Sequence, residues 1–142
     1  MSSRGPEQIW VFDVDGCLVD SLTGSSLRPG ADEVLAHLRG ARHTTVLWSA
    51  GGAEYAEAYA TRLGIHELFD AFHGKVERGS DGRYLTNLIA ADLDAVVFVD
   101  DRPEDLPAGA DVVRVSPYIA PNEHDRGLAP VAHRAGMLCD DR

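Results

Sequence analysis

Lysine is almost absent from this chain. Of its 13 basic residues only Lys75 is a lysine, and the rest are arginine. Bases are themselves scarce: Asp and Glu number 23, for a formal net charge of −10. That balance argues against a protein that grips nucleic acid through a broadly basic face, since phosphate neutralisation dominates such binding. It leaves room for a local basic groove. No apolar run approaches the roughly 20 residues that a bilayer span needs, so no membrane association is expected. Cysteine is limited to Cys17 and Cys139, too few for a disulfide framework and without metal-ligand spacing. The six histidines share no common spacing either. The N-terminal MSSRGP lacks the apolar core of a signal peptide, and the expectation is a soluble cytoplasmic protein. Repeats, low-complexity tracts and linkers are missing too. At 142 residues and 44% apolar composition, the chain reads as one domain over 1–142, with a core at about 8–118.

What is present is a sequence of short apolar runs separated by turn residues. IWVF at 9–12, TTVLW at 44–48, FDAFH at 69–73, AVVFV at 95–99 and DVVRV at 111–115 read as five strands. Helices are expected at 31–39, with Val34, Leu35 and Leu38 on one face, and at 53–63, closed by Gly64. A third is expected from a cap at 80–82 through Asp92 with Leu85, Leu88 and Ile89 inward, and a last one at about 128–136. Alternating strands and helices with near-continuous apolar strands predict an α/β fold. Its form is a Rossmann-like three-layer αβα sandwich on a five-stranded, mainly parallel sheet. Such sheets bind ligands beyond the carboxyl ends of their strands.

Those ends carry the chemistry. Asp13 and Asp15 follow the first strand, Ser49 and Ala50 the second, Lys75 the third, and Asp100 and Asp101 the fourth. Each residue alone is an ordinary turn former or solvated side chain, but unrelated loop residues have no reason to recur in this order. Clustered carboxylates repel one another and raise their own pKa values. A small hard divalent cation, Mg²⁺, relieves that repulsion through oxygen ligands. An aspartate can then attack phosphorus, a second can shuttle the proton of the leaving group, and an ammonium can hold the phosphoryl oxygens. A receiver-type signalling domain uses similar groups, but it carries its lysine after the fifth strand and its acid pair after the first. The order here rejects that reading.

VFDVDGCL at 11–18, LWSAGG at 47–52, HGKVERG at 73–79 and VVFVDDRPED at 96–105 resemble, in order, the four motifs of the haloacid dehalogenase superfamily. The resemblance implies Asp13 as nucleophile and Asp15 as general acid/base, with Ser49, Ala50 and Lys75 binding phosphate. It further implies a metal held by Asp13, Asp15, Asp100 and Asp101. Arg102, which follows those acids, is a candidate substrate contact, with a helix or turn salt bridge as the equal alternative. Segments between the motifs are too short for a cap domain; residues 20–28 suffice for a flap. LRPGADE at 27–33 and the Asp101-Arg102-Pro103 turn resemble capless relatives of the carboxyl-terminal-domain phosphatase type, although Cys17 stands where their DxDxT signature has Thr.

The expectation is therefore a capless, Mg²⁺-dependent phosphomonoester hydrolase working through an aspartyl phosphate on a protein or small-metabolite phosphate. An open site admits macromolecular substrates unless a neighbouring subunit covers it. Two alternatives accompany this reading: a polynucleotide-end phosphatase, disfavoured by net charge, and a non-catalytic phosphate-binding or interaction module.

Overall fold

The computed structural model describes residues 7–75, 77–86, 89 and 93–137. Its strands are β1 (Ile9–Asp13), β2 (Thr44–Ser49), β3 (Ala71–Gly74), β4 (Val96–Asp100) and β5 (Asp111–Arg114). Its helices are α1 (Ala31–Gly40), α2 (Ala53–Arg62) and α3 (Ala129–Arg134). The strands form one sheet in the order β3-β2-β1-β4-β5, and every pair is parallel. This is the Rossmann-like α/β architecture expected, all-parallel rather than mainly so.

The run of apolar residues in β1 follows from its central place. Trp10, Val11 and Phe12 are all buried because both faces of the sheet are covered. Consecutive crossovers through α1 and α2 step from β1 to β2 to β3, and the chain then returns past β1 to β4 and β5. Parallel crossovers are right-handed almost without exception, so reversing direction moves the connection to the opposite face. The two cores obey this rule. Val34, Leu35 and Leu38 of α1, Ala56 and Ala60 of α2 and Val131 of α3 pack with Phe12, Leu47 and Val99 on one face. Val11, Val46, Trp48 and Phe98 on the other meet Leu106, Tyr84, Ile89 and Leu93. Each fully buried large side chain of this kind contributes about 1.5–3 kcal/mol. The direction of travel reverses at β1 and β4, and the ends of these strands border the crevice where such sheets bind ligands.

Two expectations need correction. Residues 80–86 are not helical: Ser80 to Gly82 form a turn, and Arg78 bridges Tyr84 in antiparallel fashion. Gly79 N–H donates to the Arg83 carbonyl at 2.8 Å, Arg83 N–H to Asp81 Oδ1 at 3.0 Å, and Arg78 Nη1 to the Gly82 carbonyl at 2.6 Å. These local bonds satisfy the backbone in a turn and remove the reason to start a helix. Leu85 is 47% exposed instead of inward; Leu88 and most of the remaining expected helix lie outside the described residues. The third strand starts at Ala71 rather than Phe69, because Phe69 enters the core and Asp70 Oδ2 accepts the Thr45 N–H at 2.8 Å.

No inserted domain separates the strands among the described residues. The connection from β1 to α1 is a flap in which the buried Asp20 carboxylate accepts Thr23 N–H at 2.6 Å, Thr23 Oγ1 at 2.7 Å and Ser26 N–H at 3.0 Å. Among the described residues, no helix is long and apolar enough to cross a membrane.

Candidate active site

β1 ends in Asp13 and runs into a tight loop. Leu18 N–H bonds the Val14 carbonyl at 3.0 Å and Gly16 N–H the Val19 carbonyl at 2.8 Å. Gly16 has φ 77°, a left-handed conformation that glycine adopts without strain. Cys17 is buried below the loop with Sγ 3.6 Å from the Val99 carbonyl, so it fills space between β1 and β4 and exposes no thiol. Burial pushes that thiol well above its ordinary range, and the neighbouring Asp13 and Asp100 add to the effect.

Lys75, one residue past β3, reaches across to the crevice. Its Nζ lies 2.8 Å from Asp13 Oδ1 and 3.3 Å from Asp100 Oδ2, and it sits 5.1 Å from the Trp48 ring centroid and 5.5 Å from that of Tyr84. Its backbone N–H is tied to the Ser49 carbonyl at 2.9 Å. Asp13, Asp100 and Lys75 are all buried. Asp13, Asp100 and Asp101 each offer a carboxylate oxygen within 4.8 Å of the others. Three acids thus face one ammonium.

The pKa directions record that imbalance. Burial pushes Asp13 up to about 7; Lys75 opposes the rise and Asp100 and Asp101 reinforce it. Burial and then Asp100 raise Asp101. Lys75 is raised as well, because Asp13 and Asp100 outweigh the burial that disfavours its charge. Surplus negative charge on hard oxygen donors in a small space suits a divalent cation, and Asp13, Asp100 and Asp101 fit Mg²⁺ on that ground. Asp15 lies outside this trio but lines the same cleft. Burial raises its carboxyl, against the opposing pull of Lys75 and of a hydrogen bond from the Tyr55 hydroxyl.

The cleft has a volume of about 390 Å³ and brings together Asp13, Asp15, Ala50, Lys75, Asp100 and Arg102. Ser49 is buried beside it, with Oγ accepting the Gly51 N–H at 3.0 Å. Arg102 N–H donates to Asp100 Oδ1 at 2.9 Å, while its guanidinium stands at the rim. Sequence reasoning missed Arg78, Tyr84 and Asp105, which line the same cleft; Tyr84 fell inside the expected helix and Arg78 just ahead of its cap. It also missed Tyr55 as a partner of Asp15, and Arg28, a buried arginine away from the cleft.

Acids at the ends of two adjacent central strands, with a lysine delivered from a third, define a haloacid dehalogenase type of site on this fold. Residues 9–135 match the family model described as NLI interacting factor-like phosphatase, and the chain belongs to that family. It is a phosphatase, a hydrolase of phosphate esters. No curated protein matches the chain with significance. Among solved structures, the core domain of a provisionally assigned phosphoglycolate phosphatase from Streptococcus pneumoniae TIGR4 is similar at a TM-score of 0.59 and 15% identity, over 96% of this chain and 100% of that one. At that identity the likeness concerns the fold alone. A second solved structure, 17% identical, aligns at a TM-score of 0.49 over 94% of this chain and 86% of its own, too loosely to argue from.

Proposed function

We propose that the protein hydrolyses phosphomonoesters with the help of Mg²⁺ and through a phosphoryl group carried transiently on Asp13. The observation that carries this reading is the meeting of Asp13, Lys75 and Asp100, with the ammonium 2.8 Å from one carboxylate and 3.3 Å from the other.

In the first step Asp13 Oδ attacks phosphorus and the bond from phosphorus to the leaving oxygen breaks. Asp15, whose carboxyl burial raises above its ordinary value, gives that oxygen its proton. In the second step Asp15 takes a proton from water, whose oxygen attacks the aspartyl phosphate. Inorganic phosphate leaves and Asp13 is restored. Lys75 balances charge on the non-bridging oxygens. The Ser49 hydroxyl, whose oxygen already accepts the Gly51 N–H, keeps its own proton for a phosphoryl oxygen, and Ala50 adds backbone contact. When bound by Asp13, Asp100 and Asp101, with the Asp15 backbone as a further candidate ligand, Mg²⁺ supplies positive charge to the transferring group.

The substrate class that fits the open cleft best is a phosphate on a protein or small metabolite. A polynucleotide end is the second reading, and the −10 charge weighs against it. Residues 1–142 are taken as one domain, in a cytoplasmic setting. The test is p-nitrophenyl phosphate turnover with and without Mg²⁺ for the wild type and Asp13→Asn. Metal-dependent hydrolysis lost in the variant is expected; equal turnover in the variant would defeat the assignment.

A further inference from the structure

The cleft has two kinds of wall. Its floor holds the buried Asp13, Asp100 and Lys75. Its mouth holds two guanidiniums from different connections: Arg78 from the turn after β3 and Arg102 from the loop after β4, with side chains 46% and 70% exposed. Asp105 stands between them, 3.6 Å from Arg78 Nη1 and 3.9 Å from Arg102 Nε. Both separations exceed a hydrogen bond, so Asp105 holds the pair loosely.

We propose that Arg78 and Arg102 form a subsite for a second negative charge, so that the preferred substrate is a phosphomonoester bearing a carboxylate beside its phosphate. That carboxylate belongs to a small phosphorylated acid or to an acidic phosphopeptide. The inference rests on the phosphatase reading of the same cleft and names its substrate class.

Arg78 is preorganised for this task. Nη2 donates to the Tyr84 hydroxyl at 2.9 Å, Nη1 to the Gly82 carbonyl at 2.6 Å, and the guanidinium lies 4.1 Å from the Tyr84 ring centroid. Two of its five N–H groups are thereby used and the others remain for a ligand. Arg78, Arg102 and Asp105 together carry one net positive charge, which matches a single added carboxylate; Asp15, an exposed acid of the same cleft, serves the leaving oxygen. A polynucleotide end brings a phosphodiester at every nucleotide and meets a chain of net charge −10. Nor does Tyr84 offer a clear stacking platform for a base, since Arg78 and Lys75 already lie over its ring.

The test measures kcat/KM on matched pairs with Mg²⁺ present. Phosphoserine peptides carry Asp or Asn beside the phosphoserine, and 3-phosphoglycerate is set against glycerol 3-phosphate. The wild type should prefer the acidic member of at least one pair by about tenfold, and the responding pair identifies the source of the carboxylate. The preference should shrink as ionic strength rises. Arg78→Gln with Arg102→Gln should bring the ratio close to one, with thermal melts showing that the variant is folded. Asp105→Asn should raise the ratio above that of wild type, because Asp105 competes with the substrate carboxylate; a merely structural Asp105 gives no such rise. A wild-type ratio near one in both pairs, a ratio unchanged in the double variant, or faster turnover of 5′- or 3′-phosphorylated oligonucleotides overturns the inference and leaves the phosphatase reading standing. Absence of turnover on every phosphomonoester overturns both.

Discussion

Two cations are buried among the described residues, Arg28 and Lys75, and their surroundings differ in kind. Arg28 is matched group for group. Its Nε donates to Asp125 Oδ1 at 2.7 Å, Nη2 to Asp125 Oδ2 at 3.3 Å and to Ser116 Oγ at 3.1 Å, and Nη1 to the Cys17 carbonyl at 3.2 Å. The Tyr118 ring centroid lies 5.2 Å from its guanidinium carbon. Burial works against the Asp125 charge, yet Arg28 and the Gly127 N–H hold that carboxyl below its ordinary value. Lys75 is the opposite case: one ammonium among Asp13, Asp100 and Asp101, with Asp13 pushed up to about 7. A buried charge alone does not mark a functional site. A buried surplus of one sign does, because only the surplus can be relieved by a ligand.

Substitutions can break that contrast. The largest effect is expected in turnover: Asp13→Asn should lose on the order of 10⁴-fold in kcat, while its melting temperature at pH 8 is no lower than that of wild type, since one of three crowded acids is gone. Arg28→Met should do the reverse. It strands Asp125 in a partly buried place and should lower unfolding free energy by about 3–5 kcal/mol in urea titrations. A loss below about 1 kcal/mol would show that Arg28 is not the pin it looks to be.

Mg²⁺ sharpens the contrast from the other side. At a concentration of about 100 Kd it should raise stability by about 2.7 kcal/mol, an increment read from melting curves, reversed by chelator and missing in Asp100→Asn. The last contrast is in pH dependence, and its sign differs between the two sites. Asp13 has a folded pKa above its unfolded value, so without metal the native state holds the extra proton between about pH 4 and pH 7. Stability should therefore fall as pH rises through that window, at up to about 1.4 kcal/mol per unit from this group, and Asp13→Asn should flatten the slope. Asp125 has a lowered folded pKa. Its contribution is present above the unfolded value and disappears as pH falls through the folded one. Unfolding titrations from pH 3 to 8 on the two variants separate these opposite slopes.

Much of the site was legible because its signals are local. An apolar strand followed at once by Asp13-Val14-Asp15-Gly16, or by Asp100-Asp101, puts acids at a strand end whatever the rest of the chain does. The solitary lysine drew attention by composition alone. The turn at Arg78 to Tyr84 was misread because Ser80-Asp81-Gly82 suits a helix cap and a turn equally well. Only the neighbouring contacts of Arg78 decide between them. Arg28 gave no warning at all, since an arginine before a Pro-Gly pair is usually solvated, and its partners Ser116 and Asp125 are far away in sequence.

By itself, then, the amino-acid order determined which residues end each strand, that the chain alternates strand and helix in a parallel α/β class, and which acids, hydroxyl and ammonium were available for phosphate chemistry. Periodicity and turn chemistry act over a few residues, and a reader of the chain sees them directly. Tertiary structure alone decided that β1 and β4 are neighbours, that Lys75 spans to both their ends, and which arginine guards the cleft and which is sealed away. Those outcomes depend on strand pairing and crossover handedness, which bring together groups that local sequence does not relate.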